Sequence, residues 1–189
     1  MEEVIVMMLR KVDAEKLILR KMALAADPSL GEKTPSAVTE WLGGLRSVTR
    51  VRDFEVVVDE PEELGGTNTA QTPTETLLAS LGACLTVGYA VNAALLGIDI
   101  EDIKIELCGK IDQRGFFGLS NNRGYLKIDV KVRLVTTATE EELRKLHHLV
   151  LETSPVGNTI LRNTELNVEM ECPTAVRDRF GGDGWEERR

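Results

Sequence analysis

Apolar and charged residues alternate cleanly in the segment YLKIDVKVRLV. Leu126, Ile128, Val130, Val132 and Leu134 fall on one face, and Lys127, Asp129, Lys131 and Arg133 on the other. A period of two predicts an antiparallel strand with one wet face. DIKIELCGKI (Asp102–Ile111) reads as its partner, and DQRGFFGLSNNRG, punctuated by Gly and Asn, as the hairpin loop between them. Upstream, AVTEWLGG (Ala37–Gly44) and VTRVRDFEVVVD (Val48–Asp59) read as two more strands, and ELNVEMEC (Glu165–Cys172) as a last one.

A second period marks helices. From about Glu3 to Ala25, Ile5, Met8, Leu9, Val12 and Leu19 recur near helical spacing, until DPSLGEKTP breaks the pattern. The strongest helix start follows the turn-rich EPEELGGTNTAQTP. Thr72 suits an N-cap, Pro73 the first helical position, and Glu75 stands where a capping box needs it. This predicts a helix over Pro73–Leu96 ended by Gly97. A charged amphipathic helix is predicted over Glu140–Glu152, then a short one in SPVGNTI, with Ser154 as cap and Pro155 first. The order predicts an α+β domain with helices against antiparallel sheet. It divides as a helical extension (1–35), a main domain (36–172) and a Gly-rich, charged tail (173–189).

Leu77–Ile98 carries no charge, which raises the question of a membrane span. Ser80, Gly82, Thr86, Gly88 and Asn92 dilute it, and Glu75, Asp99, Glu101 and Asp102 flank it in place of Lys or Arg. The reading is a helix buried in a core or subunit interface. The 189 residues suit one domain with a sizeable core. A net charge of -8 argues against nucleic acid and anionic membrane as partners, and 4% aromatics against base stacking. The MEEV start lacks the basic residues of a signal peptide, so a cytoplasmic protein is expected.

Candidate chemistry centres on the cysteines. Cys84, Cys108 and Cys172 are far apart and form no C-x-x-C pair, so neither zinc nor a disulfide framework is expected, and no cofactor is called for. Strand parity puts Cys172 with Leu166, Val168 and Met170 on a buried face, and Cys108 with Lys104, Glu106 and Lys110 on an outer one. Cys84 sits mid-helix in ASLGACLTVG, near Leu77, Leu81, Val87, Val91 and Leu95. Such a cysteine packs more often than it reacts. To react it needs a cation beside it, since it is far from the helix N-terminus. Arg50 and Arg52 share the parity of Phe54, Val56 and Val58, which points them toward the core unless the strand breaks first. His147 and His148, adjacent on a helix near Glu152, point apart and suit solvent better than a shared metal. Gly65 and Gly66 read as a turn, and Phe116 and Phe117 as an interface patch or an apolar entrance.

Four stretches together resemble the OsmC/Ohr family: DEPEELGG (Asp59–Gly66), TPTETLLASLGACL (Thr72–Leu85), LGIDIEDIKIELCGKID (Leu96–Asp112) and SPVGNTILRNTELNV (Ser154–Val168). They span about Trp41–Met170. The resemblance implies an intertwined homodimer in which antiparallel sheets wrap a pair of long helices, with active sites at the subunit interface. It implies thiol-dependent reduction of organic hydroperoxides, with Cys84 attacking the O–O bond to give a sulfenic acid.

Three departures from the family pattern are visible. The family's second cysteine precedes a Pro-Val pair, and here that position is Ser154. The family's glutamate ten residues before the first cysteine is here Thr74, and Glu75 lies roughly opposite Cys84 on the helical wheel. The family arginine aligns loosely: Arg52 is the first choice, Arg50 the second and Arg46 the third. The site residues expected are thus Cys84, Arg52, Arg50 and Ser154. The expected cycle uses one cysteine and an external thiol reductant. The alternative is a non-catalytic dimer of the same fold that binds a small apolar ligand or serves as a redox sensor.

Overall fold

The computed structural model describes residues 12–162 and 164–170. The first helix, α1, runs Ala14–Ala26. Asp13 caps it by accepting from the Lys16 N–H. The predicted first turns before Val12 lie outside the described residues.

A three-stranded antiparallel sheet follows: β1 (Val38–Gly43), β2 (Arg46–Val51) and β3 (Phe54–Val58), in that order. The single strand expected over Val48–Asp59 is therefore two. Val51 pairs with Phe54, leaving Arg52 and Asp53 as a two-residue hairpin turn with Arg52 at φ 55°. That left-handed conformation reverses the chain, so parity no longer carries from Arg52 to Phe54. The apolar face expected to reach the core stays open: Phe54 is 63% exposed and Trp41 77%. Among the described residues this sheet packs extensively on no other element.

The long helix α2 spans Pro73–Leu96 as its caps predict. The Thr72 hydroxyl accepts from the Glu75 N–H, and the Glu75 carboxylate accepts from the Thr72 N–H. Gly97, at φ 71°, closes the helix. Next come β4 (Ile100–Ile111) and β5 (Tyr125–Thr136), a long hairpin with Ile105 opposite Val132 and Leu107 opposite Val130. α3 (Glu140–Thr153) and α4 (Pro155–Leu161) complete the described elements.

Four-residue spacing along α2 gives the core its spine. Leu81, Leu85, Tyr89 and Ala93 are buried against Leu146 and Val150 of α3. Ile103, Ile105 and Leu107 of β4 and Ile128, Val132 and Leu134 of β5 close the other side. Burial of these side chains is the main force holding α2 to the hairpin. α2 is long and apolar enough to cross a membrane, yet this face is packed into protein. Val87, expected beside Cys84 on a covered face, is exposed on the opposite side of the helix from this spine, and Leu77, one turn before Leu81, is exposed at the spine's N-terminal end.

The last expected strand does not form within the described residues. Residues 164–170 are irregular, and Leu166, Val168 and Met170 are each more than four-fifths exposed. Among the described residues the β4–β5 sheet has two strands, and none pairs with this segment. A strand cannot stand without a ladder to satisfy its backbone groups. Cys172 lies outside the described residues.

Candidate functional site

Cys84 lies one helical step from Leu85 on α2 and is half-buried. Its sulfur faces the elbow between α3 and α4. There Ser154, only 3% exposed, places its Oγ 3.4 Å from the Cys84 Sγ. The elbow is built by local sequence. Ser154 ends α3 and caps α4, its Oγ accepting from the Gly157 N–H at 3.1 Å. Pro155 fills the first helical position, where no backbone N–H is needed. Asn158 ties the turn down, its Nδ2 donating to the carbonyls of Glu152 and Ser154. Gly157 is required by proximity, because a Cβ there would sit 2.9 Å from the Ser154 Oγ.

Cys108 is exposed on β4 opposite Asp129, whereas its neighbour Leu107 turns to the helix and approaches Gly82. Adjacent strand residues point to opposite faces, so Cys108 and Cys84 are separated by the sheet itself. The parity reading of Cys108 is thus what the structure shows.

The arginines are not brought to Cys84 within one chain. The expected inward parity of Arg50 fails because Arg50 pairs with Glu55, which puts it on the opposite face of the sheet from Phe54, Val56 and Val58. Arg50 bonds Glu55 across the β2–β3 pair, with Nε to Oε1 at 2.8 Å, and also bonds Glu40 on β1. These carboxylates hold its guanidinium pKa above the ordinary value, the Glu40 bond first. Arg52 sits at the hairpin turn with its guanidinium 5.1 Å from the Phe54 ring centroid. Arg46 pairs with Gly43 at the β1–β2 bulge, and its Nε is buried with no hydrogen-bond partner among the described residues.

Thr74 does not carry a carboxylate to the site; its carbonyl accepts from the Tyr125 hydroxyl at 2.9 Å. Glu75 is committed to the helix cap. Phe116 and Phe117 stack edge to face at the hairpin tip, both exposed.

Three polar arrangements escape a reading of the sequence. Tyr89, fully buried on the α2 spine, bonds His147 Nδ1. Burial pushes the phenol pKa up, which keeps the hydroxyl protonated. His147 and His148 are both exposed, as expected; the Nδ1 of His147 nonetheless reaches Tyr89, and His148 pairs with Glu152. Asp59, at the end of β3, is completely buried and accepts from the hydroxyls and backbone N–H groups of Thr67 and Thr69. Its signal is an acid followed by threonines eight and ten residues on, with a glycine pair between. Among the described residues no cluster of three or more His, Cys, Asp or Glu is placed to hold a metal.

The OsmC family, described as OsmC-like protein, matches residues 66–169. No curated protein matches the sequence. Among solved structures, the OsmC-like protein of Mycoplasma pneumoniae is similar at TM-score 0.60 and 17% identity, over 69% of this chain and 89% of that one. An organic hydroperoxide resistance protein OsmC from Legionella pneumophila is similar at TM-score 0.51 and 22% identity, over 68% and 89%. An organic hydroperoxide resistance protein from Elizabethkingia anophelis is similar at TM-score 0.51 and 21% identity, over 67% and 87%. At such identities the structures speak for the fold, while the family match covers more than half of the chain. The mixed architecture, the long α2 and the residues matched agree: this chain belongs to the OsmC family.

Proposed function

We propose that the protein is a thiol-dependent peroxidase of organic hydroperoxides, acting as a homodimer with Cys84 as nucleophile. The observation that carries this is the half-buried Cys84 sulfur with the buried Ser154 hydroxyl 3.4 Å away. The Cys84 thiolate attacks the distal peroxide oxygen, the O–O bond breaks, and the departing alkoxide takes a proton to become an alcohol. Sulfur is oxidised to a sulfenic acid. No second thiol faces Cys84 among the described residues, since Cys108 lies across the sheet. An external thiol therefore condenses with the sulfenic acid, releasing water and leaving a mixed disulfide. A second external thiol attacks that disulfide and frees Cys84. Two electrons from two thiols reduce one peroxide.

The cation is assigned to the N-terminal sheet of a second copy. Among the described residues that sheet packs extensively on no other element, and its face bearing Trp41 and Phe54 is open. Arg52 is favoured over Arg50, whose guanidinium is already held by Glu40 and Glu55.

Mass spectrometry after cumene hydroperoxide treatment, with dimedone present, tests the reading. A dimedone adduct on Cys84, together with peroxide consumption lost in Cys84→Ser, is the expected result. An unmodified Cys84 in folded protein at excess peroxide overturns it and leaves the ligand-binding dimer as the reading to pursue.

A further inference from the structure

The position that cannot resolve a sulfenic acid still holds a hydroxyl, and its proton has one destination. Ser154 Oγ is both the α4 cap and the neighbour of Cys84. Its lone pair takes the Gly157 N–H at 3.1 Å. A serine hydroxyl has one proton to give. With Ser154 only 3% exposed, the sole acceptor within reach of that proton among the described residues is the Cys84 sulfur, at 3.4 Å. Buried hydroxyls that lose water must find a protein partner. We infer that Ser154 is a fixed hydrogen-bond donor to the Cys84 sulfur, aimed by the α4 cap, and that it favours the reactive thiolate.

The elbow geometry supports this in detail. Capping removes the hydroxyl's freedom to turn its oxygen away from Gly157. Asn158 holds the Ser154 carbonyl with both its side-chain and backbone N–H groups, at 2.8 and 2.9 Å. The missing Cβ at Gly157 lets the backbone approach the hydroxyl without displacing it from the sulfur. A hydrogen bond to an ionised acceptor is stronger than one between neutral groups. The bond therefore stabilises thiolate more than thiol, whatever the sulfur then attacks. The inference bears on the peroxidase reading by giving Ser154 a task other than resolution. Its test does not require peroxide at all.

The experiment is site-resolved iodoacetamide alkylation of Cys84 between pH 5 and 9, on the full chain and its variants. Ser154→Ala is expected to alkylate about three- to ten-fold more slowly near neutral pH, with its profile displaced to higher pH. Ser154→Thr, which keeps a hydroxyl and a good N-cap, is expected to restore the rate. Ser154→Gly is the second hydroxyl-free variant, because glycine caps helices nearly as well as serine does. It should match alanine, and it decides the matter should the alanine variant not fold. Profiles of Ser154→Gly or Ser154→Ala that superimpose on the wild type overturn the inference and leave the hydroxyl as a cap alone. A wild-type Cys84 that never reacts with peroxide defeats the peroxidase reading while leaving this comparison intact.

Discussion

Tyr125 crosses the face of Gly109, so closely that a Cβ on residue 109 would lie 2.2 Å from the Tyr125 Cε1. The same tyrosine reaches on to donate to the Thr74 carbonyl at the start of α2. Gly109 thus lets the β4–β5 hairpin grip the first turn of the helix that carries Cys84. Gly109→Ala must push the ring aside, and overpacking of this kind costs about 1–3 kcal/mol. Urea unfolding should show that loss. Tyr125→Phe should cost about 1 kcal/mol, the size of one hydrogen bond. An unchanged alanine variant would mean that the ring shifts freely.

Acid should loosen the loop before α2. The Thr67 hydroxyl, with the Thr69 N–H next in weight, holds the Asp59 carboxyl far below the ordinary carboxylate range. Arg114 holds Asp112 at about 2. An unfolded aspartate takes its proton near pH 3.9. Between that value and the lower folded ones, the unfolded chain binds more protons, so stability is full above about pH 4 and falls as the medium becomes more acid. Asp59→Asn should be less stable at pH 7, because one carboxylate oxygen accepting from two threonines becomes an amide. Its stability should also fall less steeply below pH 4. Thermal melts from pH 2 to 7 check both, and a parallel pair of curves would remove Asp59 from the account.

Restoring a thiol at the elbow should change the cycle. With Sγ and Oγ 3.4 Å apart, Ser154→Cys needs only a small adjustment to bring two sulfurs to bonding distance. The variant starts with four thiols, one more than the native three. After one equivalent of peroxide it should show two by thiol titration, with a disulfide between positions 84 and 154 in the peptide map. Four thiols after oxidation would indicate that the elbow holds the groups in the wrong orientation.

The proposed dimer should depend on the uncovered face of α2. Val87 is 61% exposed there, on a helix with no charged residue after Glu75. Val87→Asp should convert the assembly to monomers in sedimentation equilibrium while leaving the packed spine intact. A dimer that persists would move the contact to another surface, such as the open sheet face around Trp41 and Phe54.

How much of this is legible in the sequence follows from range. α2 is readable because its caps and its apolar run are local: Thr72, Pro73, Glu75 and Gly97 each act within one turn of where they stand. The β4–β5 alternation is readable for the same reason. Parity fails at Arg50 and Arg52 because the Arg52–Asp53 turn lacks glycine or asparagine, and a left-handed arginine leaves no compositional mark. It fails again at Leu166, Val168 and Met170, where the pattern of a strand is present but the described residues offer it no ladder.

The sequence by itself determined the elements whose stability is local: the capped helices, the alternating hairpin, and the motifs that resemble the OsmC family. It also determined that Ser154 cannot close a disulfide. Only the tertiary structure decided where the Ser154 hydroxyl lies, beside the Cys84 sulfur. Bringing residue 154 to residue 84 depends on α3 packing Leu146 and Val150 against the α2 spine, a contact between segments some seventy residues apart. No local propensity encodes such a contact. It exists because burying those side chains together outweighs the entropy of closing the chain between them.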